Sequence, residues 1–87
     1  MVTLRLPPVL RPFAGGADCV EVEATTVGAA LAATPPPLRR RLTDDQGAVR
    51  RHVNIYLDSD NIRDLAGPDT PLPDGAELLI LPSVAGG

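Results

Sequence analysis

Glu77-Leu78-Leu79-Ile80-Leu81 sets four apolar residues in a row, with Pro82 directly after them. Side chains of a strand alternate between two faces, so this run is apolar on both, the pattern of a strand in the middle of a sheet. Upstream, Val53, Ile55 and Leu57 alternate with His52, Asn54, Tyr56 and Asp58, which predicts another strand. Between the two lie Ile62 and Leu65, read as a short edge segment, and a turn-rich stretch from Asp69 to Gly75. At the start of the chain Val2, Leu4 and Leu6 alternate with Thr3 and Arg5 until Pro7 and Pro8 stop the pattern. A second alternation follows, with Val20 and Val22 on one face and Cys19, Glu21 and Glu23 on the other. The turn Phe13-Ala14-Gly15-Gly16-Ala17-Asp18 makes the pair an antiparallel hairpin.

The period changes in the middle of the chain. Val27, Ala30, Leu31 and Thr34 fall on one stripe of an amphipathic helix, which Thr25 or Thr26 caps and Pro35-Pro36-Pro37 ends. Leu38 and Leu42 bracket Arg39-Arg40-Arg41 in a short helical turn, and Asp44-Asp45-Gln46-Gly47 is loop. The order is therefore strand, strand, helix, strand, short strand, strand. A helix crossing one face of a mixed sheet makes the first and last strands neighbours under the usual connection rules. Pattern alone leaves that α+β topology as one option among several.

With 87 residues there is room for one domain, roughly 12 Å in radius of gyration, and for no deep cleft. That leans towards a binding, carrier or interaction module. Phe13 and Tyr56 are the only aromatics, so the core must come from Val, Leu, Ile and Ala. A net charge of −3 argues against nucleic acid as the main partner. All eight basic residues are arginine, and a chain without lysine cannot accept a copy of itself through an isopeptide bond. A single cysteine, Cys19, excludes an internal disulfide and suits a reducing compartment. Neither a signal-peptide pattern nor an apolar run of membrane-spanning length is present, so the expectation is a cytoplasmic protein, monomeric when free, with no membrane partner.

Several segments together resemble one family. Val53-Asn54-Ile55-Tyr56-Leu57, Asn61-Ile62-Arg63, Asp69-Thr70-Pro71-Leu72, Asp74-Gly75, Leu79-Ile80-Leu81-Pro82 and Val84-Ala85-Gly86-Gly87 are similar to the ThiS/MoaD family of sulfur carriers, most of all its CysO-type branch. The likeness covers residues 52–87, with a looser match in the first strand and at Thr26-Val27-Gly28. It implies a ubiquitin-like β-grasp domain over residues 1–82 and a flexible Gly-Gly tail over residues 83–87. It also implies that the chain is not an enzyme. An E1-like adenylyltransferase of the MoeB/ThiF type, using ATP and Mg²⁺, would activate the Gly87 carboxylate. A sulfur source would then convert it to a thiocarboxylate for a sulfur-accepting biosynthetic enzyme. That enzyme could serve cysteine, molybdopterin, thiamin or thio-natural-product synthesis. The chain itself would bind no cofactor. Two alternatives stay open: the small subunit of a molybdopterin-synthase-type complex, and a modifier conjugated through Gly87.

The residue types fit that role. A carboxylate resists nucleophilic attack, and adenylation gives it a good leaving group. Gly86 and Gly87 place no Cβ beside the reacting carbonyl. Ser83, Val84, Ala85, Gly86 and Gly87 can reach ~16–18 Å beyond the sheet, enough to enter a partner's channel. Two of the residues Leu78 to Leu81 cannot face the helix, and parity does not say which. A loop could cover them, or they could form a docking patch; Leu79, Leu81 and Tyr56 are taken as that patch, continuing into Val84. Arg39-Arg40-Arg41 with Arg50-Arg51 makes a basic cluster around an acidic loop, read as solvated surface, with phosphate or partner binding as the alternative. Cys19 reads as a small strand residue rather than a nucleophile, and an enzyme built on it as the weakest rival. His52 has no partner at metal or triad spacing, and Asp58, Asp60 and Asp64 match a calcium loop only loosely, so no metal is expected.

Overall fold

The computed structural model describes residues 1–82, the side chain of Pro82 excepted. The expected tail, with Ser83, Val84, Ala85, Gly86 and Gly87, lies outside the described residues. Five strands form one sheet: β1 (Val2–Arg5), β2 (Cys19–Val22), β3 (Val53–Leu57), β4 (Asp60–Asn61) and β5 (Glu77–Pro82), in the order β2-β1-β5-β3-β4. β5 is the central strand, as its doubly apolar run predicts. It pairs parallel to β1 (Leu4 opposite Leu78) and antiparallel to β3 (Ile55 opposite Ile80). β1 and β2 form the expected antiparallel hairpin, with Val2 opposite Val22 and Leu4 opposite Val20.

Helix α1 (Val27–Ala32) packs Val27, Ala30 and Leu31 onto the sheet, all essentially inaccessible. Thr26 is its cap: the hydroxyl accepts from the Ala29 N–H at 3.2 Å. The proline run ends α1 and also starts a second helix, α2 (Pro36–Leu42), because proline at the first helical positions has no intrahelical N–H bond to lose. Leu38 and Leu42 anchor α2 in the core. Thr25 and Thr70 carbonyls accept from the Leu72 and Val27 amides (2.8 and 3.0 Å), which fastens the start of α1 to the segment before β5.

The core is wholly aliphatic, from Val2, Leu4 and Leu6 through Leu31 and Ile55 to Leu78 and Ile80. The radius of gyration is 11.7 Å, close to the expected value. Thr34 and Thr70, the least exposed of the buried polar residues, have bonded side chains: Thr34 donates to the Leu31 carbonyl (2.6 Å), and Thr70 accepts from the Ala66 amide (3.1 Å).

The short edge segment sits differently from its expected place. β4 is Asp60–Asn61, while Ile62 begins a 3₁₀ turn (Ile62–Asp64) and Leu65 is exposed beyond it. The Asn61 side chain accepts from the Arg63 N–H (2.9 Å), offering the backbone an alternative to the ladder. The turn from β3 into β4 holds Asp58 and Ser59 at φ 52° and 77°, both left-handed, between the paired Leu57 and Asp60. Two such residues make the turn whose twist matches a hairpin.

Candidate functional site: the open sheet face

Both helices lie on one face, and that leaves the other open. Register settles which residues it carries. From β5 come Glu77, Leu79 and Leu81, from β3 Asn54 and Tyr56, from β1 Thr3 and Arg5, and from β2 Cys19 and Glu21. Leu78 and Ile80 are fully buried under the helices, whereas Leu79 and Leu81 stay 43% and 40% exposed. The pair left undetermined by parity is therefore Leu79 and Leu81, and no described loop hides them. Tyr56, directly opposite Leu79, is half-buried beside it. Tyr56, Asp58, Ser59, Glu77, Leu79 and Leu81 line an open depression of about 390 Å³.

Arg5 borders this strip and donates from Nε to Glu77 Oε1 at 2.8 Å, so the polar rim is held by a cross-strand ion pair. Leu79 and Leu81 alternate with the buried Leu78 and Ile80 along β5, so the apolar strip runs to Leu81, near the end of the described chain. Scattered exposed leucines are ordinary on a protein surface. Two on one strand beside a tyrosine, on a face without helices, form a patch that a partner can cover.

Cys19 lies half-buried on the same face, opposite Arg5. Partial burial pushes its thiol up from the ordinary range, and the Asp18 carboxylate adds to the effect, outweighing Arg5. It is held as a thiol, which suits a strand residue and not a nucleophile. No three His, Cys, Asp or Glu side chains gather into a metal-binding group among the described residues. Nor is any helix among them long and apolar enough to cross a membrane.

The fold keeps Arg39-Arg40-Arg41 and Arg50-Arg51 together at one end of the sheet, as the basic cluster expected from the sequence, and adds His52 to them. Phe13, Pro37, Arg40, Arg41, Arg50 and His52 line a second depression of about 500 Å³. The Arg41 guanidinium sits 4.3 Å from the centre of the Phe13 ring. Phe13 is distant in sequence, and only the fold reveals that it belongs to this grouping.

A five-stranded mixed sheet with β5 at its centre, helices on one face and an apolar strip on the other defines a ubiquitin-like β-grasp protein. The chain belongs to the ThiS family, whose model matches residues 4–87. It is 37% identical over 91 residues to the sulfur carrier protein CysO of Mycobacterium tuberculosis, covering 99% of this chain and 98% of that one. The crystal structure of that protein superposes with a TM-score of 0.82 at 32% identity, over 97% of this chain and 100% of that one. A chain of the Amycolatopsis orientalis BexX/CysO complex matches over 100% of both chains, with a TM-score of 0.80 and 30% identity. The small archaeal modifier protein SAMP1 of Methanosarcina acetivorans gives 0.83 at 29% identity, over 99% of this chain and 95% of that one.

Proposed function

We propose that this chain is a sulfur carrier of the CysO type, loaded and unloaded at the carboxylate of Gly87. The observation that carries the reading is the end-to-end likeness to CysO carriers within a family model that runs through Gly87. The open strip of Leu79, Leu81 and Tyr56 supports it, because a carrier needs a surface for its partners to cover. Val84, with Ser83, Ala85 and Gly86, would continue that contact into the partner's channel. The domain of residues 1–82 serves as the handle and residues 83–87 as the reactive arm.

In this reading a Gly87 carboxylate oxygen attacks the α-phosphorus of ATP on an E1-like adenylyltransferase, and pyrophosphate leaves. A sulfide-equivalent nucleophile then attacks the carbonyl carbon, and AMP departs with the electrons of the C–O bond. The product is a thiocarboxylate, whose sulfur passes to a biosynthetic enzyme. ATP, Mg²⁺ and their charge stabilisation belong to the activating partner. This chain contributes an acyl group and a docking surface, acts as a co-substrate rather than a catalyst, and works in the cytoplasm. The likeness to a chain of the BexX/CysO complex supports work with a partner protein.

Intact-mass spectrometry after incubation with an E1-like adenylyltransferase, ATP, Mg²⁺ and a sulfide source tests the reading. The expected product is heavier by one oxygen-to-sulfur exchange, localised to Gly87, and Gly87→Ala slows or blocks its formation without changing the melting curve. No such product from the wild type, or a normal yield from Gly87→Ala, would overturn the assignment. The likeness to SAMP1 favours a second reading, a modifier joined to other proteins through Gly87. Gly-Gly remnants on target lysines would reveal it.

A further inference from the structure

β5 ends on a pair between Pro82 and Val53, and Val53 is immediately preceded by Arg50-Arg51-His52. The end of the sheet from which the chain runs on is therefore the end that carries the arginines. α2 supplies Arg39, Arg40 and Arg41 to it, and the loop between them folds back. Asp44 Oδ1 accepts from the Gln46 and Ala48 amides (2.9 and 3.0 Å), and the Arg50 amide bonds to the Leu42 carbonyl (3.0 Å). Arg50 Nε then reaches the Arg40 carbonyl at 2.9 Å. Arg63 comes in from the far side of β3, donating to the carbonyls of Val53 (2.8 Å) and Arg50 (3.0 Å).

Six of the eight arginines thus share one end of a protein whose net charge is −3. Among the described residues no carboxylate forms an ion pair with them. The ion pairs among the described residues are Met1 with Asp74 and Arg5 with Glu77, both away from this end. Arg39, Arg50 and Arg63 are occupied with carbonyl groups. Arg40 and Arg51 are exposed and make no side-chain hydrogen bond among the described residues, and Arg41 only stacks on Phe13. Crowding like charges is unfavourable for folding, and the side chains of Arg40 and Arg51 gain no partner among the described residues in return, which leaves them free to meet a group outside the chain.

We propose that this cluster is an electrostatic collar at the root of the reactive arm, docking against acidic side chains that ring the mouth of the activating enzyme's channel. The inference rests on the carrier reading and adds to it a partner chemistry and a second contact surface. Any enzyme that takes in residues beyond Pro82 must face this end. The arginines come from α2, the segment before β3 and the 3₁₀ turn after β4, and Arg40, Arg41 and Arg50 share an open depression of about 500 Å³ with Phe13, a spread that fits a protein rim better than a single phosphate. Outside these six arginines the chain carries two arginines against eleven carboxylates, a balance that a nucleic-acid backbone would repel.

Arg40→Glu/Arg51→Glu tests it, since neither side chain holds the fold together. Where that variant melts early, Arg40→Gln/Arg51→Gln replaces it. Adenylation by the E1-like adenylyltransferase is followed by pyrophosphate release at varied carrier and salt concentrations, beside thiocarboxylate mass. The wild type is expected to show a KM that climbs with salt. The variant should show a KM raised about tenfold at low salt, little further salt dependence and an unchanged kcat. A loaded wild type with a variant of equal KM and equal salt slope overturns the collar and leaves the carrier reading standing. An unloaded wild type overturns both. A duplex oligonucleotide that binds the wild type and not the variant, with loading unaffected, reassigns the cluster to nucleic acid and overturns the collar.

Discussion

Replacing Leu79 and Leu81 together by alanine separates docking from folding on one strand. Burying a leucine side chain completely contributes about 1.5–3 kcal/mol relative to leaving it exposed. Roughly two-fifths of each residue is still exposed, 43% and 40%, so a partner that covers the strip can gain about 0.6–1.2 kcal/mol from each. The pair together is then worth about 1.2–2.4 kcal/mol, a loss of roughly 7- to 60-fold in kcat/KM for adenylation. Leu78 and Ile80, their neighbours on the same strand, are fully buried, and alanine there removes core atoms and opens a cavity, at about 2–5 kcal/mol of stability each. The assay is pyrophosphate release at subsaturating carrier, run beside thermal melts of all the variants. The outer pair should lose activity and largely keep its melting temperature, and each inner variant should lose stability. Unchanged kcat/KM in the outer pair, or equal destabilisation of outer and inner positions, would refute the assignment of the two faces.

Thr26→Ala removes the side-chain acceptor at the start of the six-residue α1 and is expected to cost about 1 kcal/mol in urea unfolding; no measurable change would show that the cap contributes nothing. Ser59→Gly should stabilise the protein by about 0.5–1 kcal/mol, because glycine accepts the left-handed φ of 77° without a Cβ penalty; destabilisation would contradict that turn geometry. The Met1 ammonium is held above its usual range by its hydrogen bond to Asp74, and the Asp74 carboxylate below its usual range by the same contact. The amine's contribution to stability is present below its unfolded value and fades as pH rises through the higher folded one. The carboxylate's is present above its unfolded value and fades as pH falls through the lower folded one. Asp74→Asn should remove both slopes, as read by melts across pH, and a profile identical to wild type would show the pair to be irrelevant.

The sheet was legible because its patterns are local. Val53, Ile55 and Leu57 show alternation within one segment, and the doubly apolar β5 announces neighbours on both edges. What β5 does not announce is cover over both faces. Edge neighbours bury backbone, whereas helices bury side chains, so Leu79 and Leu81 remain exposed in a central strand. α2 was read only as a helical turn because proline is a helix terminator in the interior and a helix starter at the first position, and sequence alone does not say which end of the run matters. β4 was read too far along, at Ile62, because Asn61 diverts the chain through its own side chain. The β3–β4 turn escaped notice since Asp58-Ser59 lacks the glycine that marks such turns. The arginine cluster of residues 39–41 and 50–51 was legible around its acidic loop, whereas Phe13, His52 and Arg63 join it only through the fold and could not be read from spacing.

The aliphatic core has a practical consequence for watching this protein at work. With no tryptophan and a single tyrosine, its intrinsic near-ultraviolet emission comes from Tyr56, which sits on the open face beside Leu79 and away from the buried interior. That one ring makes a label-free optical probe of whatever settles on the strip. A tryptophan-free partner mimic binding there should change the emission while the fold stays intact.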